Sequence, residues 1–315
     1  MRQRGYGKDT GLTIRMFFTS FLLLLLYCFF GLFLFSMGMP LEILLILGIV
    51  MVAFQFFASD KLVLASTRAR VVSAEEEPKL HAMVERLSAL ADMPKPKKIA
   101  IMDTHVPNAF ATGRSPKNSV IAVTRGLLSR LTEKELEAVL AHELSHIKNK
   151  DVMVLTWASL IVVISGFLMQ MLFWMSIFGG FGGGGGRSGR GGGGQAMLVI
   201  FAVYIGTILV YFISQLLILT ISRYREYAAD RGGAILTGSP LTLASALTKI
   251  SGDLARIPEK DLRTVEHANA FFIIPALSGK SIGNLLSSHP PVEKRIEKLR
   301  SMQADLEGPS KYTDG

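Results

Sequence analysis

The amino-acid sequence predicts a mainly α-helical membrane protein, in which four transmembrane helices form two hairpins beside an α+β body that contains a small β-sheet. Half of the 315 residues are hydrophobic and only 19% are charged, whereas soluble domains carry about 25% charged residues. The apolar residues are concentrated in four runs, and a run of roughly 17 to 25 residues is long enough to cross a bilayer. These runs cover residues 16–35, 41–58, 155–178 and 196–221.

Other interpretations of the apolar runs are weaker. Buried core helices would not explain the low charge of the whole chain, although a shallow or re-entrant course of one run stays open. The basic residues before the first run also suggest a secretory signal, but the run is too long and no small-x-small cleavage site follows it. We therefore expect uncleaved hairpins at residues 16–58 and 155–221, the second with an external glycine-rich loop at residues 179–194.

The distribution of basic residues predicts the orientation of the chain. If residues 1–15 lie in the cytoplasm and the chain crosses four times, 32 of the 34 lysines and arginines fall on the cytoplasmic side, as the positive-inside rule requires. The net charge of +9 then follows from topology, and we expect no nucleic-acid partner. The single cysteine, Cys28, excludes a disulfide within the chain and argues against a thiolate metal site.

The two longer polar segments, residues 59–154 and 222–315, are each small for an independent domain, so we expect them to fold together. In the first, a capping-box pattern at Ser73 and Glu76 predicts the start of a helix. The stretches "KKIAIMD", "VPNAFATG" and "NSVIAVT" are typical of short β-strands.

Three further helix starts can be predicted. Thr132 and Glu135 form a second capping-box pattern, and the helix that follows carries a buried apolar stripe. Ser239-Pro240 is a favourable N-cap and first-turn pair. Residues 290–291, a Pro-Pro pair, precede a last charged helix that we expect to end near Met302.

The stretch "HELSH", residues 142–146, carries the main chemical signal. His142 and His146 are four residues apart, so both imidazoles project from one helix face and can reach one metal ion. Glu143 is turned by about 100° from His142, which can place its carboxylate beside a metal-bound water rather than on the metal. A polar helix face near the membrane surface is the alternative. The residues that follow, Lys148, Lys150 and Asp151, are expected to mark the membrane boundary.

A catalytic zinc ion usually has three protein ligands, so one more is needed. "SRYREYAADRGG" directly follows the fourth apolar run, and its Glu226 and Asp230 are again four residues apart. We expect Glu226 to be the third ligand and Asp230 to fix the tautomer of a ligand histidine by accepting its other N–H. A solvated helix with neighbouring arginines is the alternative for this segment.

The motifs "HELSH", "REYAAD" and "SSHPPVEKR" together resemble those of the HtpX-type membrane zinc metalloproteases, relatives of the CaaX prenyl endopeptidases. The resemblance implies a zincin-like (gluzincin) catalytic domain with one zinc ion per chain, held by His142, His146 and Glu226, with Glu143 as general base. It also implies ATP-independent cleavage of misfolded or unassembled membrane proteins, a part in the stress response, and a multi-pass protein of a prokaryotic plasma (inner) membrane whose catalytic domain is cytoplasmic.

Two further segments match the same family. "PNAFATG" is similar to an edge strand that pairs with the substrate backbone, which implies substrate along Asn108, Ala109, Phe110 and Ala111; an ordinary internal strand is the alternative. His289 and Arg295 match positions near the metal. Either could donate to the oxyanion that forms during attack, although His289 could instead only begin a helix.

The sequence thus predicts a membrane-embedded zinc endopeptidase. A CaaX-type prenyl protease is the alternative within the same class, and a non-catalytic, zinc-stabilised scaffold or chaperone is the alternative from another class. A transporter is disfavoured because the apolar runs hold almost no ionisable residues. The expected partners are protein or peptide substrates and the lipid bilayer, with a homo-oligomer or other membrane proteases as further candidates.

Overall fold

The computed structural model describes residues 10–38, 40–181, 192–257 and 289–307. This part of the chain is mostly helical and contains one small β-sheet, as the sequence predicts. It divides into two compact units. One unit contains Phe57–Val154 together with the segment that begins at Ser222, and the other contains Ile14–Phe56 and Leu155–Ile221.

The regular elements are numbered here in chain order. The helices are α1 (Thr10–Ser36), α2 (Leu41–Thr67), α3 (Pro78–Leu90), α4 (Arg125–Arg130), α5 (Glu133–Lys148), α6 (Asp151–Phe181), α7 (Gly192–Thr237), α8 (Pro240–Leu254) and α9 (Val292–Glu307). The strands are β1 (Arg70–Val72), β2 (Lys98–Met102), β3 (Ala109–Gly113) and β4 (Ser119–Thr124).

Three helices of the described ranges are long and apolar enough to cross a membrane, over Thr10–Ser36, Asp151–Trp174 and Leu198–Thr237. Their large apolar side chains are often exposed, for example Phe17 at 73% and Leu198 at 68%, as expected for helices that face lipid. These helices agree with a multi-pass membrane protein. The predicted run at residues 41–58 lies within α2 but is not one of these three helices.

The sheet is mixed, with strand order β1-β2-β4-β3. The central strands β2 and β4 are parallel, and the outer strands β1 and β3 are each antiparallel to their neighbour. One face of the sheet packs in a buried core with α3, α5, α8 and α9, to which Ile99, Ile121, Leu140 and Leu247 belong. This core fixes α5, the helix that carries the H-E-x-x-H residues, in place against the sheet.

Of the three helix starts that a capping pattern predicts, two are confirmed and one is wrong. The Thr132–Glu135 capping box is present with both of its hydrogen bonds, and α8 begins at Pro240 as predicted. Ser73 and Glu76 also exchange both capping-box bonds, but α3 begins only at Pro78, so the predicted start was wrong. The bonds close a turn that precedes the helix.

Other differences concern short or terminal elements. β1 and α4 were not predicted, because three to six residues carry too little periodicity to be recognised. The last helix extends to Glu307, beyond the predicted end near Met302. Helix α6 continues to Phe181 and α7 begins at Gly192, so both ends of the predicted glycine-rich loop are helical, while the middle of that loop lies outside the described residues.

Candidate active site

Helix α5 places the H-E-x-x-H residues inside the protein. Its N-terminus is fixed by the capping box, and Glu135 also accepts hydrogen bonds from Ser245 and Lys249 of α8. Along the same helix, the side chains of His142 and Glu143 are almost fully buried, at 1% and 3% exposure. Burial of polar groups is costly unless they are paired, so these residues must have partners there.

Helix α7 supplies those partners because it approaches α5 very closely. A Cβ atom on Gly233 would lie 2.9 Å from the backbone nitrogen of His142, and one on Gly232 would lie 2.6 Å from Ser145 Oγ. Side chains at these two positions would push the helices apart. With glycine there, Glu226 and Asp230 of α7 reach the histidines of α5.

Three ligand atoms converge at this contact, since one atom each from His142, His146 and Glu226 lies within 4.8 Å of the others. The two Nε2 atoms are 3.1 Å apart. Glu226 Oε1 is 3.4 Å from His146 Nε2, and Glu226 Oε2 is 3.7 Å from His142 Nε2. Ligands around a tetrahedral zinc ion at 2.0–2.1 Å are about 3.3 Å apart, so these spacings fit the ion.

The outer nitrogens of both histidines face carboxylates. His142 Nδ1 is 3.0 Å from Asp230 Oδ1, and His146 Nδ1 is 2.6 Å from Asp151 Oδ2. If each Nδ1 donates its proton to its carboxylate, both Nε2 atoms carry lone pairs that face each other. This arrangement is repulsive unless a cation, either a proton or a metal ion, lies between them. The donor set therefore fits the zinc ion that the family motif implies.

The pKa values of the two histidines are shifted in opposite directions. Burial lowers the pKa of His142, which favours the neutral imidazole that metal binding requires. Burial acts in the same direction on His146, but the Glu226 and Glu143 carboxylates together outweigh it and raise the pKa of His146. A metal ion bound at the cluster would compete with that proton.

Glu143 lies beside the cluster without being one of its three converging residues. Burial raises the pKa of Glu143 to about 8, while His146 and the backbone of Ala111 in β3 act in the opposite direction. A divalent cation nearby would also lower this pKa. Glu143 is thus a buried carboxylate that lies beside both the cluster and an edge strand.

Arg295 of α9 and His289, which precedes α9, complete the surroundings of Glu226. Arg295 is 1% exposed and donates two hydrogen bonds to Asp230, at 2.8 Å and 2.7 Å. Its Nη1 is 3.3 Å from Glu226 Oε2, and His289 Nδ1 is 3.1 Å from the same oxygen. Both residues lie beside the cluster and contact Glu226, but Arg295 is also bonded to Asp230 and is buried, whereas the side chain of His289 is 10% exposed.

The predicted substrate residues lie at the edge of the sheet. β3 pairs with β4 on one side and with no other strand of the described residues. Asn108 and Phe110 are buried, at 0% and 3% exposure, and the carbonyl oxygen of Asn108 accepts from the backbone of Thr124. In an antiparallel pair, the backbone groups of successive residues point alternately toward and away from the partner strand. Those of Ala109 and Ala111 point away from β4, although Ala109 is only 1% exposed.

Sequence reasoning missed the contacts of Asp151 and Arg225. Asp151 was predicted to mark the membrane boundary, yet it is 4% exposed and lies against His146. Arg225, which directly precedes Glu226, is 5% exposed and donates to Asp151. The signal available was weak, since a charged residue at each end of an apolar segment is ordinary in membrane proteins.

A cation-binding cluster of H-E-x-x-H and a glutamate from a second helix, in a protein with membrane-spanning helices, defines a membrane-embedded metalloprotease. The model of peptidase family M48 matches residues 74–303, which is most of the chain. The protein therefore belongs to peptidase family M48.

Similar proteins agree with this assignment. A protease HtpX homolog of Moorella thermoacetica is 52% identical over 97% of this chain and 99% of the relative. Protease HtpX homolog 2 of Methanosarcina acetivorans is 51% identical over 96% of this chain and 99% of the relative. The resemblance to HtpX-type proteases is confirmed, and neither a prenyl protease nor a non-catalytic scaffold is favoured.

A solved structure shares the fold. The crystal structure of S. mikatae Ste24p superimposes with a TM-score of 0.54 and 18% sequence identity, covering 92% of this chain and 67% of that chain. At this identity the likeness shows that the two proteins have a common fold.

Proposed function

We propose that this chain is a zinc endopeptidase in which His142, His146 and Glu226 hold one zinc ion. The observation that carries the proposal is the meeting of two Nε2 atoms and a carboxylate oxygen at ligand spacing, with each Nδ1 facing a carboxylate. When bound, the ion would act as a Lewis acid that activates water and polarises the scissile carbonyl. Asp230 would fix the tautomer of His142.

The protein side chains would perform the proton transfers. Glu143 would accept a proton from the attacking water and then deliver it to the leaving amine. His289, which is close to Glu226 and partly exposed, would donate to the oxyanion. In the sequence, either His289 or Arg295 matched this role. The two hydrogen bonds from Arg295 to Asp230 favour a positioning role for Arg295 instead.

We infer that the substrate binds as an added strand along Asn108, Ala109, Phe110 and Ala111. The edge of β3 that no described strand covers supports this, because the backbone groups of Ala109 and Ala111 point away from β4 and the partly exposed Ala111 lies beside Glu143. Recognition through the backbone is independent of substrate sequence, which suits misfolded or unassembled membrane proteins as substrates. Their ATP-independent degradation in a prokaryotic inner membrane would be a form of quality control during stress.

Replacing Glu143 by glutamine tests the proposed mechanism. The variant should keep one zinc ion per chain, because Glu143 is not a proposed ligand, and should lose about 10²–10⁴-fold of its cleavage rate with the general base. Zinc content by elemental analysis and cleavage of an unfolded membrane segment would be measured in detergent. Glu133→Gln, at the exposed start of the same helix, is the matched control and should behave as wild type.

Two outcomes of this experiment would contradict the proposal: unchanged cleavage by Glu143→Gln, or a wild-type protein that binds no zinc. A farnesylated CaaX peptide tested beside the unfolded segment separates the substrate classes. Preference for the farnesylated peptide would contradict degradation of misfolded proteins while leaving the zinc mechanism intact.

Backbone methylation of a peptide substrate tests the added strand without altering the protein. Only alternate residues of the bound strand would donate N–H groups to Ala109 and Ala111. N-methylation at those substrate positions should therefore raise KM at least tenfold, whereas methylation one residue along should have little effect. Equal sensitivity at all positions would exclude strand addition at this edge.

A further inference from the structure

A second buried carboxylate, Asp151, contacts the metal-binding cluster from the junction between α5 and α6. It is 4% exposed, and its Oδ2 atom is 2.6 Å from Nδ1 of His146. This is the ring nitrogen that points away from His142 and Glu226. The contact therefore lies on the outer side of His146, where it can hold the ring without occupying the ligand position.

The other oxygen of the same carboxylate is held by Arg225. The Nη2 atom of Arg225 donates both to Asp151 Oδ1 and to the backbone carbonyl oxygen of Asn149, the latter at 3.0 Å. The arginine side chain is 6% exposed. A guanidinium Nη atom carries two N–H groups, so it can bind a carboxylate and a carbonyl together. Asp151 is thus held at Oδ2 by His146 and at Oδ1 by Arg225.

The backbone between the two helices explains why Asp151 turns back toward α5. Lys150 has a φ of 57°, in the left-handed region that non-glycine residues rarely adopt. The N–H of Lys150 bonds to the carbonyl of Ile147, which closes the end of α5, and α6 begins at the next residue. The turn places Asp151 at the start of α6, where its carboxylate contacts the ring five positions earlier.

The arrangement repeats on the other histidine with different residues. His142 faces Asp230, and Asp230 accepts two hydrogen bonds from Arg295. His146 faces Asp151, and Asp151 accepts from Arg225. Each proposed ligand histidine thus has its own buried carboxylate and its own buried arginine.

We propose that Asp151 is a positioning residue for His146, and that Arg225 holds Asp151 in the conformation that this requires. The inference rests on the proposed zinc site. By accepting the Nδ1 proton, Asp151 keeps the Nε2 lone pair of His146 directed at the ion. Because Arg225 directly precedes Glu226, one turn of α7 supplies the third ligand and also orients a ligand of α5.

Removing the Asp151 carboxylate should weaken zinc binding. Loss of such an outer partner typically lowers metal affinity by 10- to 100-fold. The affinity would be measured for the full-length protein in detergent by competition with a chelating dye, in a Glu143→Gln background so that proteolysis cannot alter the sample. We expect Asp151→Ala to lose 10- to 100-fold and Asp151→Asn, whose amide oxygen can still accept from Nδ1, to lose less.

Two controls separate positioning from general stability. Asp253→Asn removes a carboxylate that pairs with Arg130 at 3.1 Å, away from the cluster, and should leave zinc affinity unchanged. The ligand-field spectrum of the cobalt-substituted protein should change for Asp151→Ala, because the ligand geometry changes, but not for Asp253→Asn. A residue that only supported the fold would lower the melting temperature of the metal-free protein without altering that spectrum.

Combining a substitution of Arg225 with Asp151→Ala tests the role of Arg225. Arg225→Gln should lower zinc affinity in the wild-type background but have little further effect once Asp151 is alanine. Wild-type affinity and an unchanged cobalt spectrum in both Asp151 variants would overturn the proposal while leaving the zinc site itself intact. Absence of zinc from the wild-type protein would instead contradict the proposed function.

Discussion

Arg295 is the largest side chain among the most deeply buried residues of the described chain, and its surroundings explain how a charge is tolerated there. It pairs with Asp230 through two bonds and lies 3.3 Å from Glu226. Nearby carboxylates raise the pKa of Arg295 although burial acts in the opposite direction. The guanidinium is therefore charged, and it balances two buried acidic groups.

Replacing Arg295 by methionine would leave those carboxylates uncompensated. Breaking a buried pair in this way costs about 3–5 kcal/mol, so we expect a lower free energy of unfolding and weaker zinc binding. Denaturant unfolding in detergent and zinc competition would measure both.

Replacing His289 should have a different effect from replacing Arg295. His289→Gln should keep the stability of the wild type while its kcat falls, since His289 is proposed to act on the oxyanion. Because His289 also contacts Glu226, its zinc affinity should fall, but by less than that of Arg295→Met. If Arg295→Met instead kept its zinc and its stability and lost only turnover, the oxyanion role would belong to Arg295.

At the scale of elements, the site depends on how closely α5 and α7 approach each other. The capping box that starts α5 and the i, i+4 spacings within each helix are local, and the sequence predicted both. The distance between the helices depends on Gly232 and Gly233, whose missing Cβ atoms would clash with Ser145 and the His142 backbone. Nothing in the local sequence distinguishes these glycines from those of a helix end.

Gly233→Ala should therefore damage the site. The added Cβ would lie 2.9 Å from the backbone nitrogen of His142 and 3.0 Å from its Cα, and backbone atoms can yield only by separating the helices. We expect a lower melting temperature and at least tenfold weaker zinc binding, measured by thermal unfolding and chelator competition.

Gly252→Ala is the matched control within α8. A Cβ at Gly252 meets no atom within 4 Å, so alanine should stabilise the helix by up to about 1 kcal/mol and leave zinc affinity unchanged. Equal behaviour of the two variants would show that the contact between α5 and α7 does not limit metal binding.

At the scale of the whole molecule, the apolar segments separate the two parts of the proposed site along the chain. The H-E-x-x-H residues precede the segment 155–221, and Glu226 follows it. The proposed topology has four spans with both parts of the catalytic domain in the cytoplasm. This topology is supported by 32 of 34 basic residues lying outside the proposed external segments.

Cysteine labelling tests that topology, and the single native cysteine simplifies the design. In a Cys28→Ala background, Ser188→Cys in the glycine-rich loop should react with a membrane-impermeant maleimide in intact cells. Ser301→Cys, exposed on α9, should react only after permeabilisation. Protection of position 188, or labelling of position 301 in intact cells, would refute the proposed orientation.

The sequence by itself determined the features that depend on local spacing. Apolar length predicted four membrane helices, of which three are long and apolar enough in the described residues. The four-residue spacings placed His142 with His146 and Glu226 with Asp230, since helical periodicity is a property of the chain alone. The family motifs identified the class of enzyme. Short elements such as β1 were not predicted, because a few residues carry little periodic signal.

Only the tertiary structure decided which residues surround the cluster. Asp151 reaches His146 because Lys150 adopts a left-handed conformation, and Arg225 reaches Asp151 from another helix. Such contacts depend on packing between elements that are distant in sequence, and a buried charged residue looks the same in sequence as one at a membrane boundary. Burial and partner, which separate these two cases, exist only after the helices have packed.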